Sequence, residues 1–66
     1  MNNRKIRLPE IVDILTRQFI SSQEELCRQL AVRGHAVTQA TLSRDLKLLK
    51  ANKISDERGG YRYVVG

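Results

Sequence analysis

The sequence predicts an α+β fold, a winged helix-turn-helix in which three helices are followed by a two-stranded β-hairpin wing. Three observations predict it. Apolar residues recur at helical spacing in three successive stretches, Gly34 sits in the turn between the second and third, and beyond Asn52 the pattern becomes extended around Gly59-Gly60.

A first helix is predicted over residues 8–18, where Leu8, Ile11, Leu15 and Gln18 share a face with Val12 and Ile14 at its margins. Pro9 is acceptable in a first turn, where no intrahelical donor is lost, and Glu10 and Asp13 suit the positive end of the helix dipole. Residues 1–6 carry Arg4 and Lys5 and are expected to fray as a basic arm that lies along phosphates or merely aids solubility. Phe19 and Ile20 follow as a short apolar extended link, a candidate edge strand.

The second helix is announced by Ser22-Gln23-Glu24-Glu25, an S-x-x-E capping box that satisfies two orphan amide donors. Leu26, Leu30 and Cys27 face inward, and the helix stops near Arg33 because Gly34 accepts the left-handed C′ conformation. Thr38 can cap a third helix over residues 39–51. In it Leu42, Leu46 and Leu49 make an apolar stripe, whereas Ala40, Arg44 and Lys47 point the opposite way with Ser43 beside them. Residues 53–55 and 61–65 then read as strands joined by the turn at 56–60. There is no internal repeat, linker or low-complexity tract.

Sixty-six residues make one domain with a small core and little room for a catalytic cavity. Apolar residues at 41% and charged residues at 29% are ordinary globular composition, and no apolar run is long enough for a membrane helix. The opening Met-Asn-Asn-Arg-Lys shows no secretory pattern and a lone Cys27 makes no internal disulfide, so a reducing, cytoplasmic setting is expected. A net charge of +5 favours a polyanionic partner. Six of the seven acids lie near helix starts or in a turn, and Asp45 alone falls within the third helix, beside Arg44, Lys47 and Lys50.

That third helix has the profile of a major-groove reader. Small and short side chains at Ala40, Thr41 and Ser43 permit close approach, and Arg44 projects past them with the planar fork that pairs with guanine O6 and N7. The bland reading of Arg44 is a solvated surface charge, and its place on the outer face weighs against it. The leucine stripe is core rather than a zipper, and Tyr61 with Tyr63 packs over the sheet rather than stacking on bases. His35 reads as an exposed turn residue and Cys27 as a small core residue. One Cys and one His do not make a zinc site, and adjacent carboxylates at Glu24-Glu25 and Asp56-Glu57 diverge, so neither metal chemistry nor acid-base catalysis is expected. No catalytic or cofactor-binding residue is assigned, and the chain does not read as an enzyme.

The motifs S-S-Q-E-E-L at 21–26, V-T-Q-A-T-L-S-R-D-L at 37–46 and G-G-Y-R-Y at 59–63 resemble those of the N-terminal DNA-binding domain of bacterial arginine repressors. The resemblance spans nearly the whole chain, and T-Q-A-T-L-S-R-D-L separates this family from winged helices in general. It implies binding to palindromic double-stranded DNA operators of arginine biosynthesis and catabolism, with L-arginine as co-repressor. It further implies a second domain after the wing that binds arginine and assembles trimers into hexamers. Nothing in residues 1–66 corresponds to that domain, so the chain is expected to be an isolated, monomeric piece of a longer homo-oligomeric protein, with no arginine ligand of its own.

Carried over by position, the resemblance places the reading helix at 39–50 with Ser43 and Arg44 as principal contacts. Arg44 is then the base-edge reader and Ser43 a phosphate or base partner, while Gln39 and Thr41 add hydrogen bonds. Lys47 and Lys50 are phosphate contacts, and Ser22, Gln23 and Thr38 stand at helix starts whose amides can receive a phosphate oxygen. In the wing Arg58 is the candidate for the minor groove, ahead of Arg62. Two other functions compete: a winged-helix module docking an acidic protein partner, and nonspecific or RNA binding, which an aromatic content of 5% disfavours.

Overall fold

The computed structural model describes residues 4–57 and 59–65. Helices α1 (Arg4–Arg17), α2 (Gln23–Val32) and α3 (Gln39–Leu48) precede strands β1 (Ala51–Ser55) and β2 (Tyr61–Val65). The strands pair antiparallel, with Lys53 opposite Tyr63 and Ser55 opposite Tyr61, and so form the hairpin wing. Together the elements are the expected three helices and two-stranded wing.

The helices enclose a core of Ile11, Ile14, Leu15, Ile20, Leu26, Leu30, Leu42 and Leu46. Leu8, Cys27, Val37, Leu49, Ala51 and Tyr63 pack around it. Leu42 and Leu46 are buried and Leu49 is partly so, as their spacing predicts. The wing is not a free ribbon. The Tyr63 amide donates to the Ile20 carbonyl at 2.9 Å, which fastens β2 to the link after α1.

Each loop is closed by local chemistry. Ser22 Oγ accepts from the Glu25 amide at 3.1 Å, the Ser-to-amide half of the expected capping box. At the other end of α2, His35 N–H reaches the Leu30 carbonyl at 2.8 Å and Gly34 N–H the Ala31 carbonyl at 3.0 Å. Those two bonds are a Schellman motif, which needs the positive φ of 87° that Gly34 adopts.

Four details depart from expectation. Helix α1 begins at Arg4, not residue 8, so Arg4 and Lys5 belong to the helix rather than to a fraying arm. Pro9 consequently sits in the helix interior and removes one amide that would have bonded back to the preceding turn. The early start is anchored by Arg7, which lies on the same stripe as Ile11, Ile14 and Leu15 and is itself buried. Phe19 and Ile20 form no strand.

Helix α3 also ends earlier than expected, at Leu48, and β1 starts at Ala51. The reason is Lys50, whose φ of 55° breaks the helix in the position a glycine usually fills. The fourth departure is Asp45. Expected beside the outward cations of α3, it is fully buried instead and takes two hydrogen bonds from Arg7.

Candidate nucleic-acid interface

The exposed surface of α3 begins at its cap. Thr38 Oγ1 accepts from the Thr41 amide at 3.2 Å, which fixes the first turn and leaves Gln39 exposed at the leading end. Thr41 is half-buried, held by a hydroxyl contact to Thr38 at 3.1 Å. Ala40, Arg44 and Lys47 are exposed on the side away from the core. Arg44 forms no ion pair among the described residues, so its guanidinium is available to a ligand.

Ser43 and Gln23 stand together. The Ser43 hydroxyl donates to Gln23 Oε1 at 2.8 Å and both side chains are half-buried, which joins the first residue of α2 to the middle of α3. Ser22, adjacent as the cap of α2, uses its hydroxyl on the Glu25 amide. Lys50 is exposed just past the end of α3. Arg58 lies outside the described residues. Arg62 is engaged elsewhere, with its guanidinium 5.0 Å from the centre of the Phe19 ring.

Sequence reasoning missed two features. The first is the inward turn of Asp45, which removes the one acid of α3 from the outer face and leaves the exposed charges there, Arg44 and Lys47, both positive. A signal was present: Asp45 is three residues after Leu42 and four before Leu49, on the apolar stripe. The second is on the wing, where the Lys53 ammonium lies 5.4 Å from the Tyr61 ring centre and 5.8 Å from that of Tyr63. Of the two tyrosines expected to pack over the sheet, Tyr63 packs against the core, whereas Tyr61 remains 57% exposed.

Behind the interface, Arg33 at the end of α2 grips α1 through Glu10 at 2.6 Å and Asp13 at 2.8 Å. These bonds raise the Arg33 pKa, with Glu10 contributing more than Asp13. Asp13 also takes a bond from Arg17 at 2.8 Å, and the two guanidinium groups, Arg17 first, hold its carboxyl below the usual carboxylate range. His35 is not simply exposed: its Nε2 lies 3.8 Å from Glu10 Oε1 and its side chain is 22% accessible. Burial, aided by Glu24, pushes the Cys27 thiol up, which disfavours the reactive thiolate.

Among the described residues no cluster of three His, Cys, Asp or Glu side chains is placed to hold a metal. A cleft of 280 Å³ opens beside Arg7 and the turn at 34–37, lined also by Ile6 and His35 and holding no carboxylate.

The profile of one protein family, described as "Arginine repressor, DNA binding domain", matches residues 2–66. The chain belongs to the arginine repressor DNA-binding domain family. It is 49% identical over 63 residues to an arginine repressor of Parabacteroides distasonis, covering 96% of this chain and 43% of that protein. To an arginine repressor of Phocaeicola vulgatus it is 46% identical over 65 residues, covering 98% of this chain and 41% of the relative. A third, from Syntrophomonas wolfei, is 47% identical over 55 residues, with 83% and 35% covered. The chain thus spans about two-fifths or less of the length of these curated relatives. As an arginine repressor DNA-binding domain it is a DNA-binding module and not an enzyme, and no helix among the described residues is long and apolar enough to cross a membrane.

Proposed function

We propose that this domain reads a palindromic duplex operator in the regulation of arginine metabolism, as one part of a longer, cytoplasmic, arginine-responsive repressor. One observation carries the reading: the guanidinium of Arg44 stands exposed on α3 while the residues on either side of it, Ser43 and Asp45, are bonded back to α2 and α1. An arginine so presented matches guanine O6 and N7 in a major groove.

In this reading Arg44 contacts a base edge, and Ser43, Gln39 and Thr41 add hydrogen bonds near the front of α3. Lys47 and Lys50 neutralise phosphates, as do the helix starts at Ser22, Gln23 and Thr38, and Arg58 is the candidate contact to the minor groove. A single module buries roughly 600–1,000 Å² and symmetric copies read half-sites about one helical turn apart. The remaining three-fifths of the relatives' length supports a second domain in the parent, where L-arginine binds and a homo-oligomer, a hexamer, assembles. The domain by itself is a monomer and binds weakly, because tethering to other copies supplies much of the parent's avidity.

The test is a titration of the 66-residue chain, at stated salt, against an operator duplex from an arginine gene and a scrambled duplex of equal length. Tighter, salt-dependent binding to the operator supports the reading. Equal affinity for both duplexes rejects it.

A further inference from the structure

Three consecutive residues of α3 go three ways. Ser43 bonds to Gln23 on α2, Arg44 faces out, and Asp45 is buried against Arg7 of α1. Because a helix turns about 100° per residue, the bonds on either side of Arg44 act on opposite flanks of the direction in which it points.

The Arg7 contact is the more constraining of the two. Nε and Nη2 of Arg7 both donate to the Asp45 carboxylate, one to each oxygen, the Nη2 bond being 3.1 Å long. Arg4 Nε stands 3.7 Å from the same carboxylate. Asp45 is fully buried and Arg7 is 8% exposed. The hydrogen bonds to Asp45 raise the Arg7 pKa above its ordinary value despite the opposing cost of burial, so the Arg7 guanidinium stays charged.

A buried ion pair is a poor way merely to stabilise a fold, because removing both charges from water offsets most of their attraction and apolar side chains of equal volume often serve as well. What it supplies is direction. A two-bond fork fixes angle as well as distance, whereas the contacts of Leu42 and Leu46 are non-directional and tolerate a small roll of the helix. A roll of ~10° moves an atom ~6 Å from the helix axis by about 1 Å. Hydrogen bonds span a window of only about 0.5 Å in length, so such a shift breaks a bidentate contact to a base.

We infer that Arg7 and Asp45 are positioning residues for sequence readout: their buried fork sets the roll of α3 and thereby aims Arg44. The inference rests on the operator-reading function proposed above and deepens it by placing part of the specificity on α1, a helix with no residue in the proposed base-reading face.

The test replaces the ion pair by an apolar pair, Arg7→Met with Asp45→Leu, in the 66-residue chain, with folding verified by circular dichroism and thermal melting. Each protein is titrated against operator and scrambled duplexes at one salt concentration. The double variant is expected to bind scrambled duplex within about twofold of the unaltered chain. Its preference for the operator over the scrambled duplex falls at least about tenfold. A folded double variant that keeps the full preference overturns the inference and leaves the pair a purely structural feature. Should the double variant not fold, Arg7→Lys decides, since it keeps the charge and loses the fork: reduced preference in a folded protein supports the inference, and undiminished preference overturns it. If the unaltered chain shows no operator preference, the operator-reading proposal itself falls, and this inference with it. Undiminished preference in the variants removes the positioning role alone.

Discussion

Ser43 gives its hydroxyl proton to Oε1 of Gln23 across 2.8 Å, and so couples the start of α2 to the centre of α3. While that bond stands, the Ser43 oxygen has lone pairs but no proton to offer, so in the proposed complex it suits base amino groups rather than phosphate. Gln23, its oxygen occupied, keeps its amide protons for a phosphate. The two side chains should therefore behave as one unit. Ser43→Ala and Gln23→Ala are each expected to weaken operator binding by about 1 kcal/mol, and the double variant to lose less than the sum. A double-mutant cycle on operator affinity measures this, and strict additivity would show that the bond has no part in binding.

Arg44 and Lys47 share a face of α3 but are assigned different tasks. Arg44→Ala should cost about 1 to 3 kcal/mol on a cognate half-site and flatten base preference there. Lys47→Ala should weaken all sequences alike and lower the salt slope by about 1. Titrations over a series of half-site variants at several salt concentrations distinguish the two, and unchanged discrimination without Arg44 would remove it as the base reader.

The turn at Lys50 separates stability from binding. A lysine at φ 55° is strained where glycine is not, so Lys50→Gly is expected to raise thermal stability by up to about 1 kcal/mol while reducing affinity for any duplex through loss of the proposed phosphate contact. Gly34 is the converse. A Cβ there would meet nothing within 4 Å, so Gly34→Ala should destabilise by about 1 kcal/mol through its φ of 87° alone, without a steric clash. Denaturant melts of both variants provide the check.

Asp13 predicts an acid response. Its carboxyl is held below the usual range by Arg17 and then Arg33, so the folded chain binds its proton less readily than the unfolded chain. The resulting stabilisation is fully present above the ordinary carboxylate pKa of about 4 and is lost as pH falls through the lower folded value. Asp13→Asn should make melting temperature less dependent on pH below about 4, and a parallel acid limb in the variant would show that other carboxylates carry the effect.

Much of the architecture was legible in the residues because local rules agreed with one another. Ser22 and Thr38 cap the helices they precede, Gly34 ends α2, and the leucines of α3 face the core, each through interactions spanning a few residues. Those same rules put Arg44 on the outer surface. They erred at the start of α1, placed too late because Arg7 meets a partner 38 residues away, and at the end of α3, placed too far on because nothing in the identity of Lys50 announces its positive φ.

Fold class and the outward face of α3 were determined by sequence, since periodicity and capping act over a turn or two of chain, and the family by the motifs at 21–26, 37–46 and 59–63. Tertiary structure alone decided the fate of Asp45, which a partner 38 residues away draws inward, and the pairing of Ser43 with Gln23 across 20 residues. The physical reason is that burying a charge is unfavourable unless an opposite charge meets it, and whether one does depends on how helices far apart in the chain come to lie together.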